Sequence, residues 1–93
     1  MTTPTTTPPY PLVYIEWDDS YGCSSHWSRI PKKFLPPEPI ICRSVGWLVH
    51  DGDKHKVIVP HLTQPSKKSW DGCGDMTIPA AVIVRLVHLD LPA

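Results

Sequence analysis

Residues 40–62 constrain the fold most. Residues 40–50 alternate as a strand does: Ile41, Val45, Trp47 and Val49 share one side, and Cys42, Ser44, Gly46 and Leu48 the other. Asp51-Gly52-Asp53-Lys54 follows, and Asp-Gly is among the strongest hairpin signals. Lys56-Val57-Ile58-Val59-Pro60-His61-Leu62 returns as the partner strand. Gly46 in mid-strand points to a bend or bulge of the kind a small barrel needs to curl. Pro60 cannot donate to a ladder, so it is expected on an open side or at a bulge.

The rest of the chain repeats this grammar. In residues 10–17, Val13, Ile15 and Trp17 make an apolar face opposite Leu12, Tyr14 and Glu16. Residues 75–78 read as a short strand, and Pro79-Ala80-Ala81 as a tight one-turn connection. The last strand spans 82–89, with Val82, Val84, Leu86 and His88 facing one way and Ile83, Arg85, Val87 and Leu89 the other. Apolar residues on both sides imply burial on both, or one side against a core and the other against a partner subunit. A helix over 80–88 is the rival, but the β-branched residues there lower helix propensity. Residues 63–75, polar and rich in Gly, Ser and Lys around Trp70, read as a loop. Four prolines among residues 31–39 preclude a long helix and favour an extended connection, with a short turn at 31–34. Residues 1–9, almost wholly Thr and Pro, read as a disordered tail. The expectation is one all-β domain over 10–93, a small five-stranded, strongly bent barrel, because closure removes exposed edges.

A chain of 93 residues argues for one domain with a modest core. Nine basic and nine acidic residues give a formal net charge of zero, which opposes a strong hold on a long nucleic-acid backbone. A nucleotide or short single strand held by stacking stays compatible with it. A neutral small protein also tends to self-associate. Three cysteines without a Cys-x-x-Cys pair predict no disulfide framework and a reducing compartment. There is no basic region followed by an apolar stretch at the N-terminus, and no run near the ~20 apolar residues a bilayer requires. A cytoplasmic protein without membrane contact is expected.

Chemistry-bearing residues crowd the loop bracketed by Trp17 and Trp27. Cys23 and His26 are the one closely spaced ligand pair, which Cys73 could join; this falls short of a structural zinc pattern, and no metal is expected. Ser20, Cys23, Ser24, Ser25 and His26 stand near Asp18 and Asp19, so nucleophile, base and orienter types coexist. Loop serines and aspartates are common for turn reasons alone, and no nucleophile elbow is present, so no catalytic residue is assigned. Gly72-Cys73-Gly74-Asp75 lacks the lysine and helix of a P-loop and reads as a strand-entry turn. No cofactor is expected. The aromatics carry more. Trp17 and Trp47 on strands are read as core, and Trp27 and Trp70 in polar segments as the exposed pair. Arg43, Arg85 and His88 sit on strands where a cation could flank a ring. Tryptophan and arginine are also interface anchors, so an oligomer contact is the plain alternative.

The run Ile15-Glu16-Trp17-Asp18-Asp19, followed by Ser25-His26-Trp27, Arg43-Ser44-Val45-Gly46-Trp47-Leu48-Val49-His50-Asp51 and Gly74-Asp75-Met76-Thr77-Ile78-Pro79-Ala80-Ala81-Val82-Ile83, resembles a group of small uncharacterised bacteriophage proteins. At least one protein of similar look was assigned an Sm-like barrel. The likeness spans about residues 12–89 and rests on spacing. It implies a ring-forming module linked to nucleic acid, in the host cell cytoplasm. Sm proteins usually begin with a helix, whereas this chain begins with a Pro/Thr tail, and their uridine-binding residues find no match here, so no site is carried over. The sequence-level expectation is a non-enzymatic, oligomeric protein binding a nucleotide or short nucleic-acid segment, a host signalling nucleotide among the candidates. Trp27 or Trp70 would stack the base, with Asp18, Ser20, His26 and Arg43 as polar contacts. The alternative is an adaptor that inhibits or redirects a host protein.

Overall fold

Val13 and Ile15 are completely buried on β1 (Leu12–Asp19), while Leu12, Tyr14 and Glu16 are only partly covered, so the period-two pattern of this segment decides which face turns inward. The computed structural model describes residues 7–19, 27, 29–36 and 38–91. Of the expected tail, residues 1–6 lie outside the described residues, as do Ser20, Cys23 and His26. Strand β1 lies between β2 (Ile40–Asp51), paired antiparallel from Leu12↔Trp47 to Asp19↔Ile40, and the last strand, β7 (Ile83–Leu89). The Asp51-Gly52 turn is present, closed by the Gly52 amide donating to the His55 carbonyl at 3.0 Å, and it leads into β3 (His55–Val59).

Pro60 ends β3, as its missing N–H requires, and the chain resumes as β4 (His61–Ser66). After a turn at Lys67 and Lys68 it returns as β5 (Ser69–Cys73) and, past Gly74 and Asp75, as β6 (Met76–Pro79). Gly74 takes a left-handed conformation, φ 78°, opposite the proline break. The β4–β5 pairing (His61↔Cys73) stays in step with the β3–β6 pairing (Ile58↔Met76), three residues on in each strand. These four strands are therefore one long hairpin broken at Pro60 and Gly74. The sequence reading of 63–75 as a loop is corrected here: the segment is mostly strand. Its side chains are polar on both faces, so alternation carried no signal, and its Lys-Lys turn lacks the usual Gly, Asn or Asp.

The main sheet has the order β6-β3-β2-β1-β7, with β4-β5 as a separate two-stranded ladder. A one-turn 3-10 helix, Ala80–Val82, joins β6 to β7 where the tight connection was expected. The protein is all-β. Among the described residues β6 and β7 are the open edges of the five-stranded sheet and no ladder joins them, so the sheet is not a closed barrel.

The core gathers Val13, Ile15, Leu48, Ile58 and Ile78, with Trp17, Val82, Ile83 and Leu86 packed against it. On β2 the inward side is the one bearing Ser44, Gly46 and Leu48, although the other side is more apolar; Val45 is 54% exposed. Two contacts explain the choice. A Cβ at Gly46 would stand 2.9 Å from the Val59 carbonyl oxygen, so only glycine lets β3 approach there. Ser44 Oγ accepts the indole N–H of Trp17 at 3.1 Å, satisfying a part-buried donor. The irregularity expected at Gly46 falls instead at Val49, which has no opposite residue between Leu48↔Ile58 and His50↔Val57. A similar step between Glu16↔Arg85 and Trp17↔Ile83 leaves Val84 unpaired and 57% exposed, and lets Ile83 and Leu86 both reach the core.

Candidate functional site

The long hairpin and the Val49 bulge together make a groove. Val49 is displaced from the regular ladder, Val59 ends β3, and Leu62 stands opposite Gly72 across β4 and β5. Trp70 on β5, Tyr10 just before β1 and Asp75 at the hairpin break complete a lining around about 260 Å³ of space. Gly72 shapes its floor: a Cβ there would meet the methyls of Val59 at 3.3 and 3.4 Å, so glycine lets the hairpin close onto β3. The groove thus has two aromatic rings, three aliphatic side chains and one carboxylate. That composition suits a flat, partly apolar ligand that offers a hydrogen-bond donor. A smaller recess of about 150 Å³ adjoins it on the hairpin, lined by His61, Leu62, Thr63, Asp71, Gly72 and Cys73. Lys67 and Lys68, both exposed, form the turn that precedes Trp70. Ser66 and Ser69 clasp that turn with a 2.8 Å hydroxyl pair, and the Lys68 amide donates to Ser66 Oγ at 3.3 Å.

A second cluster lies across β2, β1 and β7. Glu16 is opposite Arg43 on one side and Arg85 on the other. Arg85 donates to Glu16 Oε1 from Nη2 at 2.8 Å and from Nε at 3.1 Å, and Tyr14 donates its hydroxyl to the same oxygen at 3.0 Å. The guanidinium also lies 5.7 Å from the Tyr14 ring centroid, so Arg85 does flank an aromatic. The Tyr14 hydrogen bond first, then the hydrogen bond and charge of Arg85, hold the Glu16 carboxyl below its usual range; the same carboxylate raises Arg85. These partners satisfy one another and join the sheet's edge strand to β1. The cluster clamps the edge strand to its neighbour.

The residues singled out by sequence are not gathered in one place. Asp18 and Arg43 are exposed on neighbouring strands at the β1–β2 end where the chain leaves the sheet. Trp70 is half-buried in the groove. Arg43 lies six residues before Val49 on β2, about 20 Å along a strand. Trp27 is fully exposed, at 104%, and forms no part of the groove. Ser20 and His26 lie outside the described residues. Sequence reasoning expected Trp70 to be exposed, and of its described candidates this one alone, half-buried, lines the groove. It missed Tyr10, Val49, Val59, Leu62, Gly72 and Asp75, which meet only because a bulge and a broken hairpin bring them together. Trp17 packs against the core as expected, whereas Trp47, on the opposite side of β2, is half-buried outside it, with its indole nitrogen buried without a hydrogen-bond partner.

Cys42 is half-buried on β2, and desolvation, with Asp19 nearby, pushes its thiol up, consistent with an unreactive thiol rather than a nucleophile. Among the described residues no group of three or more His, Cys, Asp or Glu side chains could hold a metal ion. No helix among them is long and apolar enough to cross a membrane. Comparison with protein-family models, curated proteins and solved structures finds no match to this chain.

Proposed function

We propose that this protein is a non-enzymatic binding protein whose groove takes the base of a nucleotide, or one unit of a short single strand. The observation that carries this reading is the pairing of Tyr10 and Trp70 around an open space with Asp75 on its rim. The rings offer stacking, and the Asp75 carboxylate can accept from a base amino or imino group. The phosphate would point away from Asp75 and towards Lys67 and Lys68. Binding would rest on stacking rather than on charge, in keeping with a formal net charge of zero, and its salt dependence would be shallow.

The strand order supports the finer architectural reading as well. Five antiparallel strands in the order β6-β3-β2-β1-β7, with a 3-10 turn between the two edge strands, are compatible with a small bent barrel open along one seam. A module of Sm-like type would self-associate, which suits a chain whose exposed apolar residues include Phe34 and Leu35.

Titration of tryptophan fluorescence with mononucleotides and short oligonucleotides tests the ligand. Quenching should disappear in Trp70→Ala and persist in Trp27→Ala. A stacked base contributes about 1–3 kcal/mol, so Trp70→Ala should weaken binding by roughly 5- to 150-fold. Unchanged fluorescence with every nucleotide and oligonucleotide would overturn the reading. The adaptor alternative draws on a different observation: Ile30, Phe34 and Leu35 are 79%, 61% and 86% exposed in one short segment, which is the composition of a protein contact.

A further inference from the structure

Every residue of segment 29–36 is exposed, and the segment forms no strand or helix. It carries Phe34 and Leu35 between Pro31 and Pro36, and Ile30 just before Pro31, together with Arg29, Lys32 and Lys33 and no acidic residue. Three large apolar side chains held in water on eight residues are costly unless something covers them. The remainder of the chain holds the other six cations against all nine acids. The neutral total therefore hides a basic arm and an acidic body. The groove on that body is lined by Tyr10, Val49, Val59, Leu62 and Trp70, with Asp75 on its rim and Asp71 in the adjoining recess. Aromatic-lined grooves take extended, proline-bounded segments, because these lose little entropy on docking.

The arm of one chain falls short of its own groove. Leu35 lies five residues before Ile40, the first residue of β2, a reach of about 16 Å for a proline-rich extended chain. Val49 lies nine residues beyond Ile40, about 30 Å along the strand. The arm and the groove match in shape, polarity and charge, but they stand at opposite ends of the same molecule. We propose that segment 29–36 docks in the groove of a second copy, with Phe34 and Leu35 between Tyr10 and Trp70 and with Lys32 and Lys33 facing Asp75 and Asp71. The inference goes beyond the ligand reading above and does not depend on it.

The test is the oligomeric state of the full chain, followed by sedimentation velocity over a range of concentrations. The wild type should self-associate, and added salt should weaken the association because it screens the lysine–aspartate contacts. Phe34→Ala/Leu35→Ala, at exposed positions that do not disturb the core, should raise the dissociation constant by roughly thirtyfold or more, the loss expected for a buried aromatic anchor. Trp70→Ala should do the same from the groove side, with its far-ultraviolet spectrum checked against the wild type. Mixing the arm variant with Trp70→Ala should restore a dimer, since one intact arm then meets one intact groove. Val84→Lys on the β7 edge should leave association unchanged. A monomeric wild type, or assembly that survives Phe34→Ala/Leu35→Ala and is lost in Val84→Lys, would overturn the proposal.

Discussion

Three residues show how local chemistry sets this sheet. Gly46 is required by distance: the 2.9 Å gap to the Val59 oxygen is closed by backbone, which cannot swing aside. Gly46→Ala should therefore destabilise the protein by about 1–3 kcal/mol in urea denaturation. Gly52→Ala should destabilise too, since a Cβ there would meet the His55 carbonyl oxygen at 3.0 Å as well as the movable end of the His50 side chain. Ser44 is required by its acceptor. Ser44→Ala leaves the Trp17 indole N–H without its partner and should cost about 1–3 kcal/mol, with a red shift in tryptophan emission if water enters. Glu16 sets a pH dependence. Its carboxyl is held low by Tyr14 and Arg85, so it binds protons less readily folded than unfolded. The stability it contributes is present above the ordinary carboxylate range and is lost as pH falls through its lowered value. Asp51, held low by its hydrogen bond and ion pair with Lys56, acts in the same direction. Denaturation midpoints measured from neutral to acid pH should fall more shallowly in Glu16→Gln than in the wild type.

At the scale of elements, the broken hairpin matters most, because it turns the flat end of a sheet into a groove. Pro60 removes a ladder donor from one strand, and Gly74 takes a left-handed turn on the other. Gly74→Ala should cost about 1–2 kcal/mol and Gly74→Asn less, because asparagine tolerates that conformation better; both would be read from thermal unfolding. Strands β1, β2, β3 and β7 were legible because their apolar residues alternate or run together, and the one-turn connection was legible from Pro79-Ala80-Ala81. Strands β4 and β5 were not legible. They are polar on both faces and follow a lysine turn, so only the continuing register of the hairpin reveals them. The site was legible in one residue, Trp70, since a tryptophan amid polar neighbours calls for a partner surface. Tyr10 and Val49 could not be placed beside it without the bulge, and a bulge shifts register without leaving a mark in composition. The choice of inward face on β2 was hidden for a similar reason: close approach at Gly46 outweighs the greater apolarity of the opposite side.

At the scale of the whole molecule, the two proposals share one groove, and sharing it has a thermodynamic consequence. A base stacked on Trp70 and the Phe34–Leu35 pair of a second copy cannot occupy the same 260 Å³ together. Each must then weaken the other by an equal factor, because linkage between binding equilibria is reciprocal. Two measurements read the coupling from opposite sides. A nucleotide that quenches Trp70 should shift the sedimentation profile towards the monomer, and its apparent affinity should fall as protein concentration rises. In Phe34→Ala/Leu35→Ala the concentration dependence should vanish, and the ligand should bind with the affinity of the free groove. The exchange would give a neutral, small-cored chain a use for its exposed apolar arm, covered in the assembly and released by the ligand. Nucleotide binding that quenches Trp70 while leaving the assembly intact would separate the two events and assign the arm to another surface.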